Sequence, residues 1–209
     1  MKIALINGSP KRKESISGII LEELKQLLPT EHHIETFNIN KPSLTEDEIE
    51  KLQSCTAWVF AFPLYIDSIP SQLLSCLCQL EQAGFDRNGK HVYAIVNCGF
   101  YEGKQTRHAL SMMEVWCQKA DLMWGMGIGF GGGGGLAYMK RIPQGRGPKR
   151  SLGKSLTVLV DAILLQDSKD NIYASITLPR FVYKFISEFI WKKAIKANGG
   201  KVSDLDRKL

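Results

Sequence analysis

The stretch that decides the fold is residues 2–28, KIALINGSPKRKESISGIILEELKQLL. Residues 2–6 are a short apolar run that the turn residues Asn7-Gly8-Ser9-Pro10 close, which is typical of a buried strand followed by a turn. After a polar loop, apolar residues recur at helical spacing from Ile16 to Leu28, and Pro29 ends the pattern. The sequence therefore predicts a strand, a loop and an amphipathic helix within these residues.

The same order of strand and helix recurs along the chain. A weaker strand spans 34–39, and Thr45 with Glu48 three residues later resembles a capping box that opens a helix reaching about Ser54. Further strands are predicted over 57–62, 92–96 and 122–128, and further helices over 70–84 and 104–120. Because each parallel crossover needs a long connection, we predict a five-stranded parallel sheet with helices on both faces.

Ligands bind to such sheets at the carboxyl ends of the strands, so the loops that follow the strands are the candidates for a site. The first loop carries Ser9, Ser15 and Ser17 beside a basic triplet, and it leads into the start of a helix, which favours an anion. Capping of the helix explains one serine but not the whole set. We therefore favour a phosphate cradle, and the alternative is that Ser15 or Ser17 only caps the helix.

The next two loops offer a different chemistry. Residues 62–70 contain two prolines and apolar side chains, which suit a flat heteroaromatic ring, although such a loop could equally pack under a neighbouring element. Residues 97–103 add an amide side chain and backbone donors, and Gly99 permits close approach of a ligand to the backbone. Three loops thus supply an anion site, an apolar wall and hydrogen-bonding groups.

Three motifs in these loops resemble a known group of proteins. They are Asn7-Gly8-Ser9-Pro10 with Ser15 and Ser17, Pro63-Leu64-Tyr65 running into Ile69-Pro70-Ser71, and Asn97-Cys98-Gly99-Phe100-Tyr101-Glu102. Together, over about residues 1–135, they resemble the flavodoxin-like superfamily of NAD(P)H-dependent FMN reductases. The resemblance implies a flavodoxin-like, doubly wound sheet of strand order 2-1-3-4-5.

The resemblance also implies FMN as the cofactor, NAD(P)H as the reductant and a set of binding residues. The phosphate would be surrounded by Ser9, Lys11, Ser15, Ile16 and Ser17. The ribityl chain and ring would be lined by Pro63, Leu64, Tyr65 and Ile66, and the polar edge of the ring would meet Asn97, Cys98, Gly99 and Phe100. Two departures are Ile16, where the family often has Asn, and Lys11-Arg12 in place of a single basic residue. Since a flavin carries the chemistry, no protein residue is predicted to be catalytic.

Composition indicates the class of protein and its compartment. No apolar stretch is long enough to span a membrane, and residues 1–8 do not form the pattern of a cleaved signal peptide. The five cysteines form no C-x-x-C pair and lie in apolar stretches, which predicts reduced core thiols and a cytoplasmic protein. The four histidines lack metal-ligand spacing, so no metal site is predicted.

Charge is distributed unevenly along the chain. The overall net charge is +6, yet residues 1–138 carry −3 and residues 139–209 carry +9. We predict a flavodoxin-like core over 1–139 and a basic helical extension over 140–209, with helices at 152–165 and 180–196.

The helix predicted over 180–196 has a broad apolar face that either packs on the core or a partner subunit, or lies on a membrane surface. A homo-oligomer is the favoured interpretation, membrane contact through 180–196 is the minority one, and nucleic acid is not expected as a partner.

The predicted function is that of an FMN-dependent oxidoreductase. It would transfer hydride from NAD(P)H to the flavin and then to a second acceptor, which could be a quinone, a nitro compound or free flavin. The alternatives are a flavodoxin-type electron carrier and a non-catalytic docking protein that uses the C-terminal amphipathic helix. The sequence distinguishes neither the acceptor nor NADH from NADPH.

Overall fold

The computed structural model describes residues 1–11, 13–84 and 89–206. The strands are β1 (Lys2–Asn7), β2 (His33–Asn38), β3 (Ala57–Pro63), β4 (His91–Asn97), β5 (Met123–Gly131) and β6 (Ile172–Ser175). The α-helices are α1 (Ile16–Lys25), α2 (Glu46–Gln53), α3 (Ser71–Ala83), α4 (Arg107–Lys119), α5 (Arg150–Leu165) and α6 (Arg180–Ala197). Short 3-10 helices span Gly103–Thr106, Gly133–Tyr138, Gly147–Lys149 and Val202–Asp206.

All strand pairs in the sheet are parallel, and the order is β2-β1-β3-β4-β5-β6. The central strands β3 and β4 are almost wholly buried, as their continuous apolar runs predict. The parallel α/β architecture and the order of the first five strands are confirmed. The prediction of five strands is wrong, because β6 pairs with residues 128–131 of β5. This sixth strand has only four residues and follows a polar stretch, so it carries little periodic signal.

Local sequence signals place the helix ends. Ser15 caps α1, and Thr45 and Glu48 form the predicted capping box at the start of α2. At the end of α3, Gly84 adopts a φ of 70°, which is a conformation that glycine accommodates without strain. The predicted helix over 104–120 begins as a 3-10 turn and continues as α4.

The chain forms two compact units, Met1–Ile176 and Thr177–Leu209. The boundary predicted between residues 139 and 140 falls inside the first unit, because α5 buries one face and β6 extends the sheet. A buried ion pair between Lys149 Nζ and Glu23 Oε1, 2.5 Å apart, also ties this region to α1. The second unit contains α6 and the 3-10 turn that follows it.

Candidate functional site

Asn7, at the carboxyl end of β1, organises the first loop. Its amide nitrogen donates to Ser15 Oγ and to Asn38 Oδ1, both at 3.1 Å, and its amide oxygen accepts from the backbone amide of Ser9 at 3.2 Å. Ser15 Oγ in turn accepts from the amide of Gly18 at 3.0 Å. The interpretation of Ser15 as a helix cap is therefore confirmed, and the cap itself is held by Asn7.

The three serines of this loop are buried, and each has a partner. Ser9 Oγ accepts from the amide of Lys11 at 3.3 Å, and Ser17 Oγ accepts from Asn97 Nδ2 at 2.9 Å. Among the described residues, the amides of Ile16 and Ser17 have no acceptor, as is usual in the first turn of a helix. The anion-attracting groups at the start of α1 are thus backbone N–H groups framed by serine hydroxyls, together with the helix dipole.

Basic side chains lie beside this helix start. Lys11 is exposed, and its Nζ donates to the backbone oxygen of Glu14 at 3.3 Å. Glu14 has a φ of 51°, and its Oε1 lies 2.8 Å from Lys140 Nζ. The hydrogen bond from Lys140 lowers the pKa of the Glu14 carboxyl. Arg12, the other half of the departure from the family pattern, lies outside the described residues.

The second loop presents apolar side chains to solvent from a tight turn. Tyr65 and Ser68 exchange backbone hydrogen bonds of 3.2 and 3.0 Å, with Ile66 and Asp67 between them at φ values of 49° and 55°. A left-handed backbone is rare for a β-branched residue such as Ile66. Ile66 is 100% exposed and Tyr65 is 49% exposed. The tip of this loop therefore does not pack under another element, whereas Pro63 and Leu64 at its base are half-buried.

Asn97, at the carboxyl end of β4, links all three loops. Its buried Nδ2 donates to Ser17 Oγ at 2.9 Å and to the backbone oxygen of Phe62 at 3.1 Å, and its own backbone oxygen accepts from the amide of Leu64 at 2.8 Å. One side chain thus connects the first turn of α1, the end of β3 and the third loop. The resemblance implies Asn97 as a ligand contact, which stays a prediction, and in the structure its amide nitrogen donates to protein atoms.

The third loop is anchored to the end of β5. The amide of Cys98 donates to the backbone oxygen of Phe130 at 3.0 Å, and the amide of Gly133 donates back to the oxygen of Cys98 at 2.9 Å. Space next to Gly99 is open, and Phe100 is 56% exposed. Burial raises the pKa of the Cys98 thiol, so this cysteine is not an activated nucleophile.

The glycines of β5 position the third loop, which the sequence analysis did not foresee. Gly127, Gly129 and Gly131 alternate along β5, so one face of this part of the strand has no side chains, whereas a Cβ atom at Gly125 would meet the ring of Tyr93. A Cβ atom at Gly129 would lie 2.1 Å from Thr106 Oγ1, and one at Gly131 would lie 2.1 Å from the backbone oxygen of Tyr101. The period-two repeat of glycine is the signal that predicts this close approach.

The carboxyl edge of the sheet thus joins an anion-attracting helix start to exposed apolar loops. Residues 1–129 match a protein family described by its flavodoxin-like fold. The chain belongs to this flavodoxin-like family. This membership confirms the resemblance found in the loop motifs, and the matched residues contain all three loops. No match to the sequence was found among curated proteins.

Solved structures of the flavodoxin-like fold are similar to this chain at low sequence identity. An NADH:FMN oxidoreductase in its apo form has a TM-score of 0.59 and 13% identity, over 80% of this chain and 90% of that chain. An NADPH-quinone reductase from P. pentosaceus has a TM-score of 0.55 and 15% identity, over 77% and 95% of the two chains. General stress protein 14 from Treponema denticola, solved in complex with FMN, has a TM-score of 0.54 and 13% identity, over 78% and 98%. At these identities the likeness establishes the fold alone.

Proposed function

We propose that this flavodoxin-like protein binds FMN at the three loops and is an NAD(P)H-dependent oxidoreductase. The observation that carries the proposal is the bond from Asn97 Nδ2 to Ser17 Oγ, because it joins the anion-attracting start of α1 to the loop that bears Gly99 and Phe100. A phosphorylated ligand with a flat apolar ring has the two chemistries that this edge offers. The names of the structurally similar proteins, an NADH:FMN oxidoreductase and an NADPH-quinone reductase, support the same reading.

The first loop would hold the phosphate chiefly through its backbone. The amides of Ile16 and Ser17 lack acceptors among the described residues, and the Ser9 hydroxyl keeps donor capacity when it accepts from the backbone, whereas the Ser15 hydroxyl donates to Asn7 Oδ1 at 3.4 Å. Because Ile16 contributes its amide, the family's usual Asn is not needed for this contact. Lys11 adds a positive charge at the rim, while Ser17 mainly positions the loop through Asn97.

The second and third loops would enclose the ring. Tyr65, Ile66 and Phe100 expose apolar surface that a planar ligand could cover, and Pro63 and Leu64 stiffen the base of the second loop. The open space beside Gly99 allows a ring edge to approach the backbone of the third loop. Cys98 would shape the third loop through its backbone, since its thiol is buried.

Bound FMN would supply the redox chemistry, accepting hydride from NAD(P)H and delivering electrons to a quinone, a nitro compound or free flavin. The protein residues bind the cofactor, exclude water from one side of it and orient its edge. None of them needs to act as a nucleophile or a general base. Burial raises the pKa of the Cys98 thiol, which agrees with this division of roles.

The proposal is tested first by the cofactor and its turnover. The purified protein should carry a yellow chromophore that is released as FMN, or should bind added FMN with quenching of its fluorescence. Anaerobic mixing with NADH and, separately, NADPH should bleach the flavin, and adding benzoquinone should restore its colour. A protein that binds no FMN would refute the proposal, and one whose flavin neither nicotinamide reduces would favour an electron carrier.

A comparison of two ligands tests the phosphate loop specifically. Riboflavin has the same ring as FMN but no phosphate, so Ser9→Ala should weaken FMN binding by about 1–3 kcal/mol, as for a lost hydrogen bond to a charged group. Its riboflavin binding should not change. Ser75→Ala is the matched control, because Ser75 Oγ donates to the Ser71 carbonyl within α3, away from the three loops. Equal losses for FMN and riboflavin would remove Ser9 from the phosphate site.

A further inference from the structure

Helix α6 presents a stripe of aromatic rings that continues as lysines. Phe181, Phe185 and Phe189 are spaced four residues apart and therefore share one side of the helix, and they are 64–75% exposed. Lys192 and Lys196 follow at the positions that continue the same stripe, three and seven residues beyond Phe189. None of the eighteen residues of α6 is buried.

Helix α6 carries much more positive than negative charge. The helix contains five basic residues and one acidic residue, Glu188, whose Oε1 lies 3.9 Å from Lys184 Nζ. Lys192, Lys193 and Lys196 form no ion pair with any residue in the described part of the chain. The carboxyl end of the helix therefore has three cations available for an anionic partner, and Trp191 beside them is 69% exposed.

We propose that α6 docks this protein onto a membrane surface that contains anionic lipids. Phenyl rings would enter the boundary between headgroups and acyl chains, and the lysines that continue the stripe would keep their amino groups among the anionic headgroups. A tryptophan beside the lysines has the amphipathic character typical of this interface. Among the described residues no helix is long and apolar enough to cross a membrane, so the proposed contact lies in the plane of the surface.

A second copy of the chain fits this stripe less well. Any protein partner that covered the three phenylalanines along the whole helix would also have to bury Lys192 and Lys196, and lysine is depleted in the cores of protein interfaces. A two-fold contact would in addition bring together two helices that each carry a net charge of +4. An anionic lipid surface accommodates both the rings and the charges, whereas the α6 helix of a second copy does not accommodate both.

Vesicle binding by α6 does not require bound flavin, and the full chain is tested with vesicles. Wild-type protein should sediment with phosphatidylcholine vesicles that contain about 30% phosphatidylserine, and much less with pure phosphatidylcholine. Binding should fall as salt rises from about 50 to about 500 mM, because the attraction between exposed charges is screened. Trp191 emission should shift to shorter wavelength on binding. No sedimentation with the anionic vesicles at low salt would overturn the proposal.

Charge and ring variants separate the two contributions. Lys192→Gln/Lys196→Gln should lower the partition coefficient about 30-fold, since each basic residue near an anionic surface contributes about a factor of five. The matched control Lys25→Gln/Lys119→Gln removes two exposed lysines from helices α1 and α4 and should bind as the wild type does. If both double variants bind equally well, the role of α6 is refuted.

The ring variant Phe185→Gln/Phe189→Gln should also lose vesicle binding, and its circular dichroism and thermal unfolding should stay unchanged because neither ring is buried. Light scattering tests the remaining alternative, in which a second copy of the chain covers this face of α6. A wild-type dimer that becomes monomeric in the ring variant, with no vesicle binding by either protein, would assign the stripe to a second copy and overturn the lipid proposal.

Discussion

Asn97 offers the most demanding test of how the candidate site is built. Replacing it with Ala removes the donations from Nδ2 to Ser17 Oγ and to the Phe62 carbonyl, which measure 2.9 and 3.1 Å, and it keeps the backbone contact to Leu64. Each buried hydrogen bond contributes about 0.5–1.5 kcal/mol, and an acceptor left without a partner adds a desolvation cost of about 1–3 kcal/mol. We therefore expect the free energy of unfolding to fall by about 2–4 kcal/mol.

Urea unfolding followed by circular dichroism measures this change, with an unchanged slope to show that the same surface is exposed on unfolding. The matched control is Asn38→Ala, which removes a single solvent-exposed bond to Asn7 Nδ2 and should cost less than about 1 kcal/mol. If FMN binds as proposed, its affinity should fall in Asn97→Ala because the first turn of α1 is released from the third loop. A loss in Asn97→Ala no larger than that in Asn38→Ala would refute the view that Asn97 links the loops.

Three further predictions follow from backbone geometry and burial. Gly129→Ala should destabilise the protein by about 1–3 kcal/mol, because the new Cβ atom would overlap Thr106 Oγ1. The control Gly134→Ala meets open space and should melt like the wild type, and equal melting temperatures of the two variants would contradict the close packing of β5. Ile66→Gly should raise the free energy of unfolding by about 1 kcal/mol, because it relieves the strain of a left-handed backbone, and it should weaken FMN binding. A melting temperature below that of the wild type would argue against strain at this turn. At pH 8, iodoacetamide should modify only Cys78 in the folded protein, because the other four thiols are buried and burial raises the pKa of Cys76 to about 11. A second modified cysteine found by mass spectrometry would contradict this prediction.

The candidate site illustrates which roles a sequence can assign. The first loop, its serines and its place at a helix start were predictable, because turn residues and capping signals act over a few neighbouring positions. The partner of Ser17 was not, since Asn97 lies eighty residues from Ser17 along the chain. The exposed turn at Ile66 and Asp67 was also hidden, because no local rule places a β-branched residue at positive φ.

The sequence by itself determined the parallel α/β architecture, the order of the first five strands through the family resemblance, and the edge of the sheet where the loops meet. The architecture and the place of the loops depend on hydrophobic periodicity and on the need of parallel strands for helical crossovers, which are local patterns, whereas the strand order rests on the resemblance alone. Only the tertiary structure decided that β6 joins the sheet and that residues 140–176 belong to the first unit. A four-residue strand beside a glycine-lined neighbour is stable only through its pairing with β5, so the sequence segment alone carries too little signal to reveal it.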